Sequence, residues 1–203
     1  MKLQIDDAFI KTWEPRYDRV ASDEPAYKRL VGLVHEEMQS SGVMSKETFL
    51  AIWRWKGAMR VIRHTTIYVP GYATKAAEPS QDQYESRYAA AFRRAAAAPP
   101  GRKLGVLLGG SHKLPGVEAP TGTTLLHFMH PDSMPIIDVR TAEVLVEAGL
   151  IRTADRDLDH YEVFRNAIEG IRQRCPGWSL RQIDRALFAY HSLTRSPGAV
   201  HCA

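Results

Sequence analysis

The stretch LPGVEAPTGTTLLHFMHPDSMPIIDVR, residues 114–140, carries a tight turn, a long apolar run and one isolated carboxylate. Pro115 fixes the entry to the turn, and Gly116 supplies the positive φ that side-chain-bearing residues resist. The pattern after it, TGTTLLHFMH, reads as a helix that stops at Pro131. The apolar segment LGVLLGG before the turn reads as another helix. Two helices joined by a Leu-Pro-Gly-Val turn form an αα-hairpin. One reading is simple packing of two core helices. In the other, the N–H groups at the start of the second helix, aided by the helix dipole, hold a phosphate.

Asp138 follows MPII and precedes VRTAEVL, a helix running to Gly149. Read locally, it is an N-cap, its carboxylate accepting a backbone N–H two or three residues on.

Working outward, nearly every segment has helical periodicity. SDEPAYKRLVGLVHEEMQSSG (22–42) opens at Ser22 as a candidate cap. Its apolar face is Tyr27, Leu30, Val31, Val34 and Met38, and Gly42 ends it. SKETFLAIWRWKGAMRVIRH (45–64) starts at Ser45 and sets Phe49, Ile52, Trp53 and Met59 on one side. SQDQYESRYAAAFRRAAAAPPG is an alanine-rich helix ended by Pro99-Pro100-Gly101. Helices at about 159–174 and 179–192 complete the chain. TTIYVPGY is the one stretch of β-like composition. The expected architecture is all-α.

The 203 residues, 44% apolar and 25% charged, are ordinary for a globular fold, so disorder is not the reading. Two cysteines, Cys175 and Cys202, are too few for a disulfide framework, a zinc cage or a four-cysteine iron–sulfur cluster. A reducing cytoplasm is the expected compartment. No signal peptide or membrane span is read. The net charge of +4 permits a nucleic-acid partner without requiring one.

LPGVEAPTGTTLLHF resembles the helix-hairpin-helix element, with Leu114, Pro115, Gly116, Val117, Leu125 and Leu126 matching its pattern. Glu118 stands where the element has a second glycine, and Gly122 where it has a small alanine. HPDSMPIIDVR resembles the segment that follows this element in the helix-hairpin-helix DNA glycosylase superfamily. FLAIWRWKGAMR and IDRALFAYH are similar to a less characterised bacterial branch of it. The resemblance spans about residues 45–192.

The resemblance implies two helical lobes flanking a cleft within a single unit, 1–203. Residues 43–134 would form a central lobe with the hairpin at 113–122, and residues 1–42 plus 135–203 the second. It implies that Asp138 is the catalytic carboxylate. Bifunctional members add a nucleophilic lysine early in the helix after the hairpin. That position here is Pro120, so the implied enzyme is monofunctional: water displaces the base and an abasic site remains. No cofactor and no active-site metal are implied. A monovalent cation held by hairpin carbonyls is a family feature. The implied partner is double-stranded DNA, bound by a monomer associated with the nucleoid.

Lys113, Leu114, Pro115, Gly116, Val117 and Arg140 are the candidate DNA-binding residues. Arg54, Lys56, Arg60 and Arg63 are a solvated basic face that would add phosphate contacts if DNA binds. Such enzymes flip a base out of the duplex, which makes Trp53, Trp55 and Tyr68 candidate pocket residues. Trp53 shares the apolar stripe of Phe49 and Ile52 and so reads first as core, while Trp55 falls off that stripe and is the better pocket candidate. His127 and His130 read as packed or surface residues, since no third metal ligand matches their spacing. Asp184 and Arg185 read as structural ion pairing. Two rival readings stay open: a non-catalytic hairpin DNA-binding protein, and an all-α interaction protein with a coincidental turn.

Overall fold

A computed structural model describes residues 2–21, 23–62, 65–68, 78–109 and 113–195, except for the side chains of 57–62 and 65–68. The described chain is predominantly helical. It divides into two compact units: one of residues 1–22, 60–67 and 137–203, the other of 23–59 and 68–136.

In the second unit the central element is α7 (Ala119–Met129), in which every residue from Gly122 to Met129 is buried. A helix apolar nearly all round belongs in the middle of its neighbours. Those neighbours are α2 (Glu24–Ser41), α3 (Lys46–Ala58) and α6 (Pro100–Leu108). α2 turns Tyr27, Leu30 and Val34 inward and ends at Gly42 with φ +73°, as its sequence spacing predicts. This inward face packs on α3 and α7, so α2 belongs to the hairpin unit rather than with the chain ends. α3 starts after Ser45, whose hydroxyl accepts the Thr48 N–H at 3.1 Å.

α3 stops at Ala58, short of the expected 45–64. The chain continues as β1 (Met59–Ile62), paired with β2 (Thr65–Tyr68). The β-branched run VI–TTIY favours this extended pairing over more helix.

The alanine-rich segment begins with a capping box at Ser80 and Gln83. It then runs as α4 (Gln81–Gln83), a π-helical turn (Tyr84–Ala89) and α5 (Ala90–Ala97). The Lys103 ammonium caps the end of α5, donating to the carbonyls of Ala95 at 2.9 Å and Ala96 at 2.8 Å. A cation there meets the negative end of the helix dipole.

In the first unit α10 (Leu180–Thr194) is central, with α1 (Asp7–Trp13), the 3-10 segment Glu14–Arg19, α8 (Val139–Glu147) and α9 (Leu158–Arg174) against it. α1, capped by Asp6, is not evident in the sequence periodicity. Arg185 joins α10 to the chain start, 3.0 Å from Asp18 and 3.3 Å from Glu14, while Asp184 pairs with Arg181 at 3.1 Å. The pairing expected at 184–185 is thus present, with partners the sequence did not name. Among the described residues, no helix is long and apolar enough to cross a membrane.

Candidate functional site

The hairpin is built as its residues dictate. The Val117 N–H donates to the Leu114 carbonyl at 3.1 Å, closing a four-residue turn with Gly116 at φ +72°. Proline second and a positive-φ glycine third make a type II turn. Leu114 and Val117 are fully buried, so they anchor the turn, whereas Pro115 and Gly116 are exposed. Any contact Leu114 or Val117 makes with a ligand is therefore through backbone.

Two side chains of the preceding helical segment hold the turn from outside. The Tyr88 hydroxyl donates to the Pro115 carbonyl and the Arg87 guanidinium to the Lys113 carbonyl, both at 2.9 Å. Inside, Gly122 lets α6 and α7 close up: a Cβ there would stand 2.9 Å from Leu104 Cδ1. The glycine thus fills the small-residue role in helix contact.

Glu118 occupies the N-cap of α7, yet its side chain makes no capping hydrogen bond. It reaches back to Lys113, with Nζ 3.0 Å from Oε1 and both side chains largely exposed. The hairpin's cation is therefore neutralised by its own anion. The first N–H groups of a helix have no intrahelical partner; Pro120 removes one of these, and those of Ala119 and Thr121 are left at the N-terminus of α7.

Asp138 is the N-cap of α8. Its Oδ1 accepts the Arg140 N–H at 3.0 Å, and its own N–H donates to Thr141 Oγ1 at 3.3 Å. The local capping reading is therefore observed. The Arg140 guanidinium lies 3.7 Å from Oδ1, with the Arg140 side chain 17% exposed and that of Asp138 22% exposed. Arg140 also stacks on the Phe188 ring at 4.7 Å. Glu143 and Glu147 pair with Arg195. The result is a carboxylate that accepts the Arg140 N–H, is partly open to solvent and has the Arg140 guanidinium beside it.

Trp55 and Trp53 are each 3% exposed. Trp55 meets Phe128 edge-on at 5.3 Å and lies 6.2 Å from Tyr27, while Trp53 packs on Phe49 at 5.1 Å. Neither indole offers a free face for stacking. The side chain of Tyr68 lies outside the described residues, as do those of Arg60 and Arg63. Arg54 forms an ion pair with Glu78.

Sequence reasoning did not show that His127 has both ring nitrogens engaged, Nδ1 at 2.8 Å from the Met134 carbonyl and Nε2 at 2.8 Å from the Tyr27 hydroxyl. A carbonyl only accepts, so Nδ1 carries a proton; in the neutral ring Nε2 then accepts from Tyr27. His130 Nε2 is buried without a hydrogen-bond partner among the described residues. Burial, and secondarily the Lys103 charge, holds its pKa below the ordinary histidine value.

The hairpin lies in the unit 23–59 and 68–136, and Asp138 and Arg140 lie in the other. Comparison of the chain with family models, curated proteins and solved structures gives no match.

Proposed function

We propose that this protein is a monofunctional DNA glycosylase, hydrolysing the bond between a damaged or modified base and its deoxyribose. The observation that carries the reading is Asp138, held by a capping box and partly open to solvent, after a Leu-Pro-Gly-Val hairpin. Breaking an N-glycosidic bond builds positive charge on the sugar. A carboxylate already oriented stabilises that charge without reorganising. It also orients and deprotonates the attacking water. Arg140, beside the carboxylate, serves as a phosphate contact that steers the strand.

The hairpin holds the backbone through the amides around Gly116 and the start of α7, with Lys113 as the nearby cation. Pro120, at the position of the bifunctional lysine, leaves no amine to attack the sugar. Trp53 and Trp55 support the base pocket as packed side chains, and Tyr68 is the remaining aromatic candidate for stacking.

A second reading, a hairpin DNA-binding protein without chemistry, is favoured by the Lys113–Glu118 pair, which sets a negative charge beside the phosphate site.

Incubation with duplexes carrying alkylated, oxidised, deaminated and enzymatically modified bases separates the two. The glycosylase leaves sites that break only on alkali treatment. DNA binding with no base release across the panel favours the second reading.

A further inference from the structure

Away from Asp138 and the hairpin, the first unit contains a cavity of about 560 Å³ between the loop 149–155 and one face of α9. Pockets of this size hold small organic ligands. The loop is fixed at its start. Gly149 takes φ +64°, its N–H donates to Val146, and the Leu150 N–H donates to Leu145. That is a Schellman closure of α8, in which glycine is the residue of choice.

The lining is apolar at its base and charged at its edge. Ile151 and Phe164 are buried beneath it, while Leu150 and Val163 stay 38% and 52% exposed. Among the described residues most large apolar side chains are covered; of the four exposed ones, Leu150 and Val163 line this cavity, while Leu158 and Leu33 do not. Exposed apolar side chains gathered at a cavity mark a binding surface more often than a bare one.

The charged groups at the edge are not equivalent. His160 stands 2.7 Å from Asp157 and 3.7 Å from Asp155, so two carboxylates at the edge are directed at one imidazole. Arg152 lines the cavity with no ion-pair or hydrogen-bond partner among the described residues. A guanidinium presents a planar fork of donors that matches a carboxylate.

We propose that this cavity binds a small amphiphilic carboxylate, its apolar body on Ile151, Val163 and Phe164 and its anionic head on Arg152. The site is independent of the Asp138 chemistry. A ligand there exchanges the water over Leu150 and Val163 for hydrocarbon, while Arg152 gains an anion it does not have among the described residues.

The test uses the full chain and octanoate as probe, followed by backbone amide NMR shifts, with 1-octanol as the uncharged control. Saturable octanoate shifts are expected at 150–153 and 160–164. Arg152→Gln weakens octanoate about tenfold, as loss of a charged hydrogen bond implies, and leaves 1-octanol unchanged. Arg152→Lys keeps the charge but loses the planar fork, so it binds octanoate more weakly than the parent and more tightly than Arg152→Gln, and Val163→Asp, at an exposed position, weakens both probes. Absence of saturable shifts, shifts elsewhere, or an Arg152→Gln variant that binds octanoate as the parent does overturns the proposal. Base release by Arg152→Gln is expected to match the parent, so failure here and failure of the glycosylase reading are separate results.

Discussion

Asp138 and Arg140 are joined twice: the Arg140 N–H donates to Asp138 Oδ1 at 3.0 Å, and the Arg140 guanidinium lies 3.7 Å from the same oxygen. One carboxylate thus starts a helix and carries the proposed chemistry, and the two roles separate by substitution. Asparagine caps nearly as well as aspartate, whereas alanine loses about 1 kcal/mol. Asp138→Asn is therefore expected to keep the parent's denaturation midpoint, and Asp138→Ala to lower stability by about 1 kcal/mol in urea titrations.

Lys113 and Glu118 are an exposed pair, and such pairs contribute about 0–1 kcal/mol to stability. Glu118→Gln is expected to leave the melting temperature within a degree or two while tightening duplex binding several-fold at low salt. Lys113→Gln should reduce the slope of log affinity against log salt by about one. Fluorescence anisotropy across a salt series measures both. Unchanged affinity in Glu118→Gln would remove the hairpin from the interface.

The sequence made the hairpin legible because a Pro-Gly turn and a capping aspartate are local events. Gly116 has the positive φ its neighbours demanded, and Asp138 accepts the N–H that an N-cap must. The end of α3 was less legible: Trp53, Met59 and the basic residues keep helical spacing, but the β-branched run that follows pairs as a ribbon. Trp55 was misleading in a different way. It lies off the stripe of Phe49 and Trp53, yet it is as buried as Trp53, because a second face of α3 packs on Tyr27 and Phe128. Which of two helix faces is covered depends on partners tens of residues away. The cavity beside Leu150 had only a weak signal, two apolar residues placed just after a helix-ending glycine.

Tyr27 and His127 share a buried hydrogen bond at 2.8 Å. Tyr27→Phe leaves Nε2 of a buried imidazole without its donor, at a cost of about 1–3 kcal/mol. His127→Leu strips the Tyr27 hydroxyl and the Met134 carbonyl of the same partner and is expected to cost at least as much. Equilibrium urea unfolding reads both, and a cost below about 0.5 kcal/mol would contradict the assigned bonding.

His130 titrates below its ordinary value of 6.5, chiefly through burial. The unfolded chain binds a proton there before the folded one does. Stability is therefore lost as pH falls from about 6.5 toward the folded pKa, and is unaffected by this group above about 6.5. His130→Gln should flatten the decline of the urea midpoint on the acid side of pH 6.5. A decline of the same steepness in the variant would assign the effect to other groups.

The most direct test of the central claim is a single-turnover comparison of the parent protein with Asp138→Asn on the duplex that yields the most alkali-labile sites. Asp138→Asn is expected to release base at least a hundredfold more slowly, with DNA affinity and thermal stability retained; a hundredfold is about 2.7 kcal/mol of barrier. Base release by Asp138→Asn at the parental rate, or strand breaks formed without alkali, would contradict it.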